Sequence, residues 1–553
     1  MSSRNEWRWR NPLPQGNTLR AVTYGAGVYL AVGQFGTILV SNDGYRWKLP
    51  SVQTISYLTG VAYGNGVFVA VGSEGAIITS DNGSDWEGRD SGTALWINSV
   101  IYAADQFVAV GQGGTVMTSP DGIDWSGTSI GQNWLSAVSY GNGVYVVIAD
   151  NNIIYTSSDG KDWRRQSQAT SSRLNSIAFG AGLFVAVGSN GTIVTSPDGQ
   201  TWTNREDATG ATLEAVTFGQ GIFVAVGHGT NKPGVVMRSA DGINWEGGPW
   251  SEVQYALGLG YGNGLFLAVG RGGIILVSSD AGVWTMQTYG DYHDLRGVGF
   301  GAGLFAAVGA EGTVLISSDG VAWKGSPAGT DQPLLGVHHA AGMFVVVGDE
   351  GTILTSADGW RWTLREVPFT NRLFAVTHAQ GIFVVVGQKG LVLRSLDGVE
   401  WQEVNTPTFN DLYAVTYGDG LFVAVGDFAT ILFSTDGKEW TRAINPALVN
   451  HINGVSHSPG LFVAVGDLGL VLNSFDGQTW TDASLSVPLE LQAVIYVKPD
   501  FLAVGQEGTI LNSYDGFHWT PEYSGTQNAL YSVTHGKLGY IVVGDYGSIL
   551  QSK

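Results

Sequence analysis

A tryptophan returns about every 39 residues along this chain, and that period limits what it can fold into. Trp47, Trp86 and Trp125 open a series of thirteen that ends at Trp519. Each closes a copy of one sentence: "FVAVGSNGTIVTSPDGQTW" (Phe184 to Trp202) recurs as "FVAVGSEGAIITSDNGSDW" (Phe68 to Trp86) and "FLAVGQEGTILNSYDGFHW" (Phe501 to Trp519). Within a copy, short runs of Val, Ile, Thr and aromatic residues alternate with Gly-rich and Asp-Gly turns, which is the pattern of antiparallel strands. The first strand reads like "LRAVTYG" (Leu19 to Gly25) and the second like "VFVAVG" (Val67 to Gly72). The second is apolar at almost every position, so both of its faces are expected inside. No helical periodicity accompanies it.

Four strands in about 40 residues make one blade of a β-propeller. A lone blade cannot bury both faces, so blades must stack around an axis. After Trp519 the chain runs through "LYSVTHG" and "GSILQSK" and stops where every other copy has its Asp-Gly turn. At the other end, "SRNEWRW" aligns with "SPDGQTW", placing Ser3, Asn5 and Trp9 on Ser, Asp and Trp. The N-terminal strand is therefore expected to complete the last blade, removing an open edge that would invite aggregation.

The fold expected is all-β, a propeller of fourteen four-stranded blades. Two arrangements fit. One is a tandem pair of seven-bladed propellers, residues 11–284 and residues 285–553, the second completed by strand 1–10. The other is a single fourteen-bladed ring. Ring size favours the pair, because rings usually have four to eight blades. The connection at 285–294 is no longer than its neighbours, which leans towards one ring.

At "SPDGIDW" (Ser119 to Trp125) and its copies, the chain resembles the Asp-box propellers, a group that includes sialidase-type BNR repeats and YCF48-type assembly factors. The resemblance covers nearly the whole chain and rests on a structural motif. The box aspartates (Asp43, Asp121, Asp159, Asp198, Asp319 and their copies, with Asn82 as a stand-in) are expected to accept backbone N–H groups within the turn. The resemblance also implies carbohydrate-active or lectin relatives. A sialidase would need clustered arginines with a Tyr/Glu pair, and no such set assembles from this sequence.

Composition narrows the function. A net charge of −20 argues against nucleic acid, which demands a basic stripe. It suits a basic protein, a cation or a neutral sugar. Cysteine is absent, so disulfides and thiolate chemistry are excluded. No stretch has the length of a membrane-spanning helix. The cytoplasm, or bacterial secretion or the periplasm with a leader removed, are both open addresses. No cofactor and no metal are expected, and a monomer is.

Sites are expected where repeats differ, in the connections between blades. Rings there are Trp96, Trp134, Trp250, Tyr255, Tyr289, Tyr292, Phe369 and Phe409, which could stack on sugars or anchor a peptide; local packing is the plainer reading. Acidic residues in the turns between second and third strands are Glu74, Glu311, Asp349, Glu350, Asp427, Asp467, Glu507 and Asp545. Most fall in the second half and could form a negative rim. "GHGTNKPG" (Gly227 to Gly234) lengthens one hairpin. The histidines His339, His378, His457 and His535 share a register held elsewhere by Tyr24 and Tyr63, on separate blades, and are not expected to meet as ligands. The leading functional expectation is a non-catalytic binding or scaffold propeller that shows variable loops to a protein or glycan. The alternative is a glycosidase or lectin.

Overall fold

The computed structural model describes residues 7–11, 15–50, 56–166, 168, 170–206, 210–229, 234–250, 255–287, 291, 293–446 and 449–552. Among these the regular elements are strands and one-turn 3-10 segments, with no α-helix. Thirteen antiparallel sheets have four strands. The first, residues 19–41, has three, with its fourth strand reduced to a single bridge between Val40 and Lys48.

Blade 2 shows why the repeat folds this way. Its strands are Leu58–Gly64, Val67–Gly72, Ile77–Ser80 and Glu87–Arg89. The second strand has a side chain inside on each face, as its run of apolar residues predicts. Val69 and Val71 join Ile97, Phe107 and Ala109 of blade 3. Phe68 and Ala70 join Leu30, Val32 and Ile38 of blade 1. Every blade is thus filling for its two neighbours. A fully buried side chain of this size contributes about 1.5–3 kcal/mol.

Two glycine positions are dictated by that stacking. A Cβ on Gly64 would lie 1.9 Å from Cγ of Tyr102, so the ring of the next blade needs bare backbone beneath it. The box turn needs a left-handed residue, as at Gly44 with φ 80°. Ala281 fills that place in blade 7, at φ 57°. In the box itself, Oδ1 of Asp43 accepts from the N–H groups of Tyr45 and Arg46 at 2.8 Å each, and the Ser41 hydroxyl holds Gly44 N–H at 2.9 Å. Trp47 Nε1 donates to Gly44 O at 3.0 Å. Asp241 and Asp280 make the same turn in blades 6 and 7. These N–H donors hold the box carboxyls below their ordinary range, Asp159 at about 2.

The ends meet as the repeat requires. Trp7–Asn11 pairs antiparallel with Ile549–Ser552, with Trp9 opposite Leu550. Asn11 adds hydrogen bonds to Gly547 O and Asp291 O. Residues Ser3 and Asn5 lie outside the described residues.

The chain forms two compact units: Asn17–Tyr289, and Met1–Gly16 with Gly290–Lys553. Each closes on itself as a ring of seven. In the first, Leu19, Tyr29 and Leu39 of blade 1 share a core with Leu267, Val269 and Val277 of blade 7. In the second, Leu295, Val298 and Phe305 of blade 8 share one with Ile541, Val543 and Ile549 of blade 14. A single ring of fourteen is thereby excluded. We call the units the N-terminal and C-terminal rings.

Candidate functional site

Within each ring the turn between second and third strands and the connection to the next blade occupy one face, tied together by bonds such as Gly114 N–H to Asn133 O, 2.6 Å, and Gly351 N–H to Asn371 O, 3.0 Å. The box turns lie on the other, where Asn65 Nδ2 reaches Pro120 O at 3.3 Å. The connections are therefore pinned, and side chains at their ends are held in place.

The N-terminal ring opens on that face into a cavity of about 630 Å³, lined by the first strands of all seven of its blades. Its wall carries Tyr57, Trp96 and Trp134, each the residue immediately before a fully buried one (Leu58, Ile97, Leu135). Their peptide groups are bonded to the turn of their own blade: Tyr57 O accepts from Ser73 N–H at 2.9 Å, Trp96 O from Gln112 N–H and Trp134 O from Asp150 N–H, both at 2.8 Å. Register and anchoring together aim three rings at the axis. Ring centroids are 5.5 Å apart for Tyr57 and Trp96 and 6.4 Å for Trp96 and Trp134.

Arg20 extends the arc, its Nε donating to Tyr57 Oη at 2.6 Å and its guanidinium lying 5.5 Å from that ring's centre. Arg173 closes it on the far side. Among the described residues the one carboxylate lining the cavity is Glu214, whose Oε1 accepts from His228 Nε2 at 3.2 Å. Asn98 and Asn175 bridge to the next blade through Leu135 O and Leu213 O, which fixes their amides at the wall.

The C-terminal ring presents different chemistry at the equivalent register. Asp294, Arg372, Asp411, His451 and Glu490 hold the place that Tyr57 and Trp96 hold in the other ring. Asp411 accepts Lys389 N–H at 2.7 Å, and Asp294 accepts Tyr546 N–H at 2.9 Å. Arg372 grips Asp349 through two bonds, 2.6 and 2.7 Å. Tyr413 donates to Asp427 at 2.6 Å, and His451 Nδ1 stands 2.6 Å from the same carboxylate. Asn453 donates to Asp467 at 2.7 Å. Burial and the neighbouring Asp467 carboxyl hold the Glu490 carboxyl above its usual range. Tyr531 is pushed up to about 12 by burial, beside Asp545 and under the Arg296 guanidinium at 3.9 Å. Asp545 is itself raised, chiefly by burial.

The expected site residues therefore separate. Trp96 and Trp134 come together in the N-terminal cavity. Tyr255 belongs to the same ring and takes Arg271 over its face at 4.3 Å. Phe369 packs into the core beside Val345 and Leu391. Phe409 is 91% exposed. Trp250 ends an outer strand with its backbone opposite Gly234; its side chain, with Tyr289 and Tyr292, lies outside the described residues. So do residues 230–233 of the lengthened hairpin. Of the acidic set, Asp349 pairs with Arg372, Asp427 with Tyr413, Asp467 with Asn453 and Asp545 with Tyr531, Glu311 lies 3.2 Å from His293, and Glu350 is exposed at φ 52°. Tyr57, Arg20 and Arg173 were not singled out from sequence. Their signal was available: the residue before each first-strand Leu forms a ring of positions around the axis. The four histidines do stack in the Tyr24 register, as His339 on Phe344 at 4.7 Å.

No family model and no curated protein matches this sequence. Solved structures do resemble the fold. The GH74 enzyme of Niastella koreensis aligns over 99% of both chains with 14% identity and a TM-score of 0.64. PorZ, a surface component of the type-IX secretion system of Porphyromonas gingivalis, aligns over 99% of this chain and 86% of its own, with 10% identity and a TM-score of 0.66. YCF48 from Cyanidioschyzon merolae covers 51% of this chain and all of its own, with 18% identity and a TM-score of 0.41. This chain is a β-propeller repeat protein. At such identities the first two likenesses speak to fold and leave activity to the site.

Proposed function

We propose that this chain is a non-catalytic binding propeller of the Asp-box type, and that the mouth of the N-terminal ring seats a saccharide. The observation that carries the reading is the arc of Tyr57, Trp96 and Trp134 set by blade register around one open cavity. Flat apolar rings interleaved with fixed amides and hydroxyls (Thr59, Asn98, Ser136, Asn175) match a sugar, whose ring has apolar C–H faces and a polar edge. Arg20 and Arg173, which form no ion pair among the described residues, admit acidic sugars as well as neutral ones.

Hydrolysis of a glycosidic bond calls for two carboxylates about 5–9.5 Å apart. Among the described residues Glu214 is the single one on this wall, and it is engaged by His228. Binding is therefore the stronger reading. A glycan array run alongside a panel of hydrolase substrates tests it. The wild-type chain should retain a defined set of glycans and release no reducing ends. Trp96→Ala with Trp134→Ala should weaken retention by about tenfold or more, a loss of at least about 1.4 kcal/mol, at unchanged melting temperature. Cleavage, or retention untouched by the double substitution, overturns the proposal.

A further inference from the structure

The C-terminal ring carries a feature that saccharide binding does not use. Five apolar side chains stand in solvent along blades 10 to 13: Phe409 is 91% exposed, Phe428 57%, Val449 78%, Leu468 60% and Val487 50%. They form one continuous arc, because each connection is tied to the adjoining turn. Asn410, beside Phe409, donates to Asp427 O and to Thr430 Oγ1 on the turn that holds Phe428. Ala429 N–H donates to Asn450 O, beside Val449, and Asn450 Nδ2 reaches Asp467 O on the turn that holds Leu468. Gly469 N–H donates to Leu489 O, next along from Val487.

Two of these residues sit where the backbone disfavours them. Phe428 has φ 51° and Leu468 φ 56°, the left-handed region. In the N-terminal ring the equivalent place is held by Phe35, Glu74, Gly113, Asn151, Asn190 and Gly272. A bulky residue held there costs about 1–2 kcal/mol relative to glycine. Phe428 recovers part of that through the His451 ring, 5.5 Å away between centroids, while Leu468 stands 60% exposed.

The ground beneath the arc is acidic. Asp411, Asp427, Asp467 and Glu490 follow one another along the same blades, against Lys389, Arg442 and His451. Phe428 and Leu468 each directly follow a carboxylate, Asp427 and Asp467. A chain laid across two blades would meet acid and apolar groups in alternation. We propose that this arc docks an extended protein segment in which basic and large apolar side chains alternate. The segment covers Phe409, Phe428 and Leu468 and sets its cations against Asp467 and Glu490. The arc belongs to the C-terminal ring and the proposed saccharide seat to the N-terminal one.

The test uses the full chain and a fluorescein-labelled twelve-residue peptide alternating lysine with leucine. A glutamate–leucine peptide and a lysine–serine peptide accompany it, and anisotropy is the readout. The first should bind and the other two should not. Phe428→Gly with Leu468→Gly removes both side chains and suits the backbone, so the variant should be at least as stable as wild type and bind about tenfold more weakly. Asp467→Asn with Glu490→Gln should weaken binding and flatten its salt dependence. Trp96→Ala with Trp134→Ala should leave peptide binding unchanged, which separates this proposal from the saccharide reading. Equal binding of the lysine–serine peptide would reduce the arc to an acidic surface and overturn the proposal. So would undiminished binding by the double-glycine variant. If sedimentation shows a wild-type dimer that the double-glycine variant dissolves, the occupant is a second copy and the proposal fails.

Discussion

The two rings are built from the same blade yet finish their mouths in opposite ways. In blades 2 to 5 of the N-terminal ring the residue before the first strand is Tyr57, Trp96, Trp134 and Arg173 in turn, around an open cavity. In the C-terminal ring the same register holds Asp294, Arg372, Asp411, His451 and Glu490, of which Asp294, Arg372 and Asp411 are locked to neighbours by short bonds. The scaffold behind both is alike: Phe68 and Phe344 are each fully buried in the same strand position. Function in such a fold is therefore written at positions that the core does not read. That is why near-identical repeats can carry two different surfaces.

The comparison can be broken most forcefully at the closure. Strand Trp7–Asn11 completes only the C-terminal ring, while the N-terminal ring closes without it. Deleting residues 1–11 should unfold or aggregate the C-terminal ring by exposing the edge of Ile549–Ser552. The N-terminal ring should keep its own transition. Calorimetry with limited proteolysis reads this directly. Loss of both rings together would mean that they do not fold as separate cooperative units.

Next in size are core truncations. Phe344→Ala and Phe184→Ala each remove a fully buried ring packed between two blades. Each should cost about 3–5 kcal/mol, and only in its own ring. Chemical denaturation followed ring by ring checks it. Equal effects would confirm that the rings are energetically alike despite their mouths.

The blade, its four strands, the shared last blade and the box turns were legible because the repeat states them thirteen times. Period-two alternation and Asp-Gly turns are local signals, and the pairing of Trp9 with Leu550 follows from counting. The choice between rings was not legible. Whether blade 7 returns to blade 1 depends on the wedge angle between sheets, which no local pattern encodes; the cluster of Leu19 with Val269 decides it. At the site, Trp96 and Trp134 stood out as extra aromatics. Tyr57 and Arg173 did not, since only their shared register before the first strand, seen across blades, marks them. Phe369 shows the converse error source: a ring in a connection can turn inward and pack against Val345.

Acid should affect the rings equally, because the boxes are shared. Backbone N–H donors lower the box carboxyls, Asp159 to about 2. A lowered group contributes stability that is present above its unfolded pKa, about 3.9, and is lost as pH falls through the folded value. Melting temperature should therefore drop between about pH 4 and pH 2 in both rings. Asn82 already does the box job with an amide, its Oδ1 accepting from Ser84 and Asp85 N–H at 2.8 and 2.9 Å. Asp121→Asn with Asp159→Asn should accordingly hold the fold at neutral pH and soften the acid transition of the N-terminal ring alone. No change in slope would show that other carboxyls govern it.

The smallest effect separates the mouths most finely. Glu490 is raised, first by burial and then by Asp467, so its contribution runs opposite to that of the boxes. A raised carboxyl favours the fold below its unfolded pKa, about 4.3, and that advantage is lost as pH rises through the folded value. At neutral pH the C-terminal mouth thus holds two carboxylates against each other, a strain that the aromatic mouth lacks. Glu490→Gln should raise the melting temperature of the C-terminal ring by about 1 °C at pH 7 and by nothing near pH 4. The group is only half-buried, and screening by water keeps the gain small. A variant less stable than wild type at pH 7 would mean that Glu490 holds the turn through the N–H of Leu468 more than it repels Asp467. The carboxyl pair would then be part of the scaffold, and only the exposed apolar residues would remain to distinguish that ring as a surface for docking.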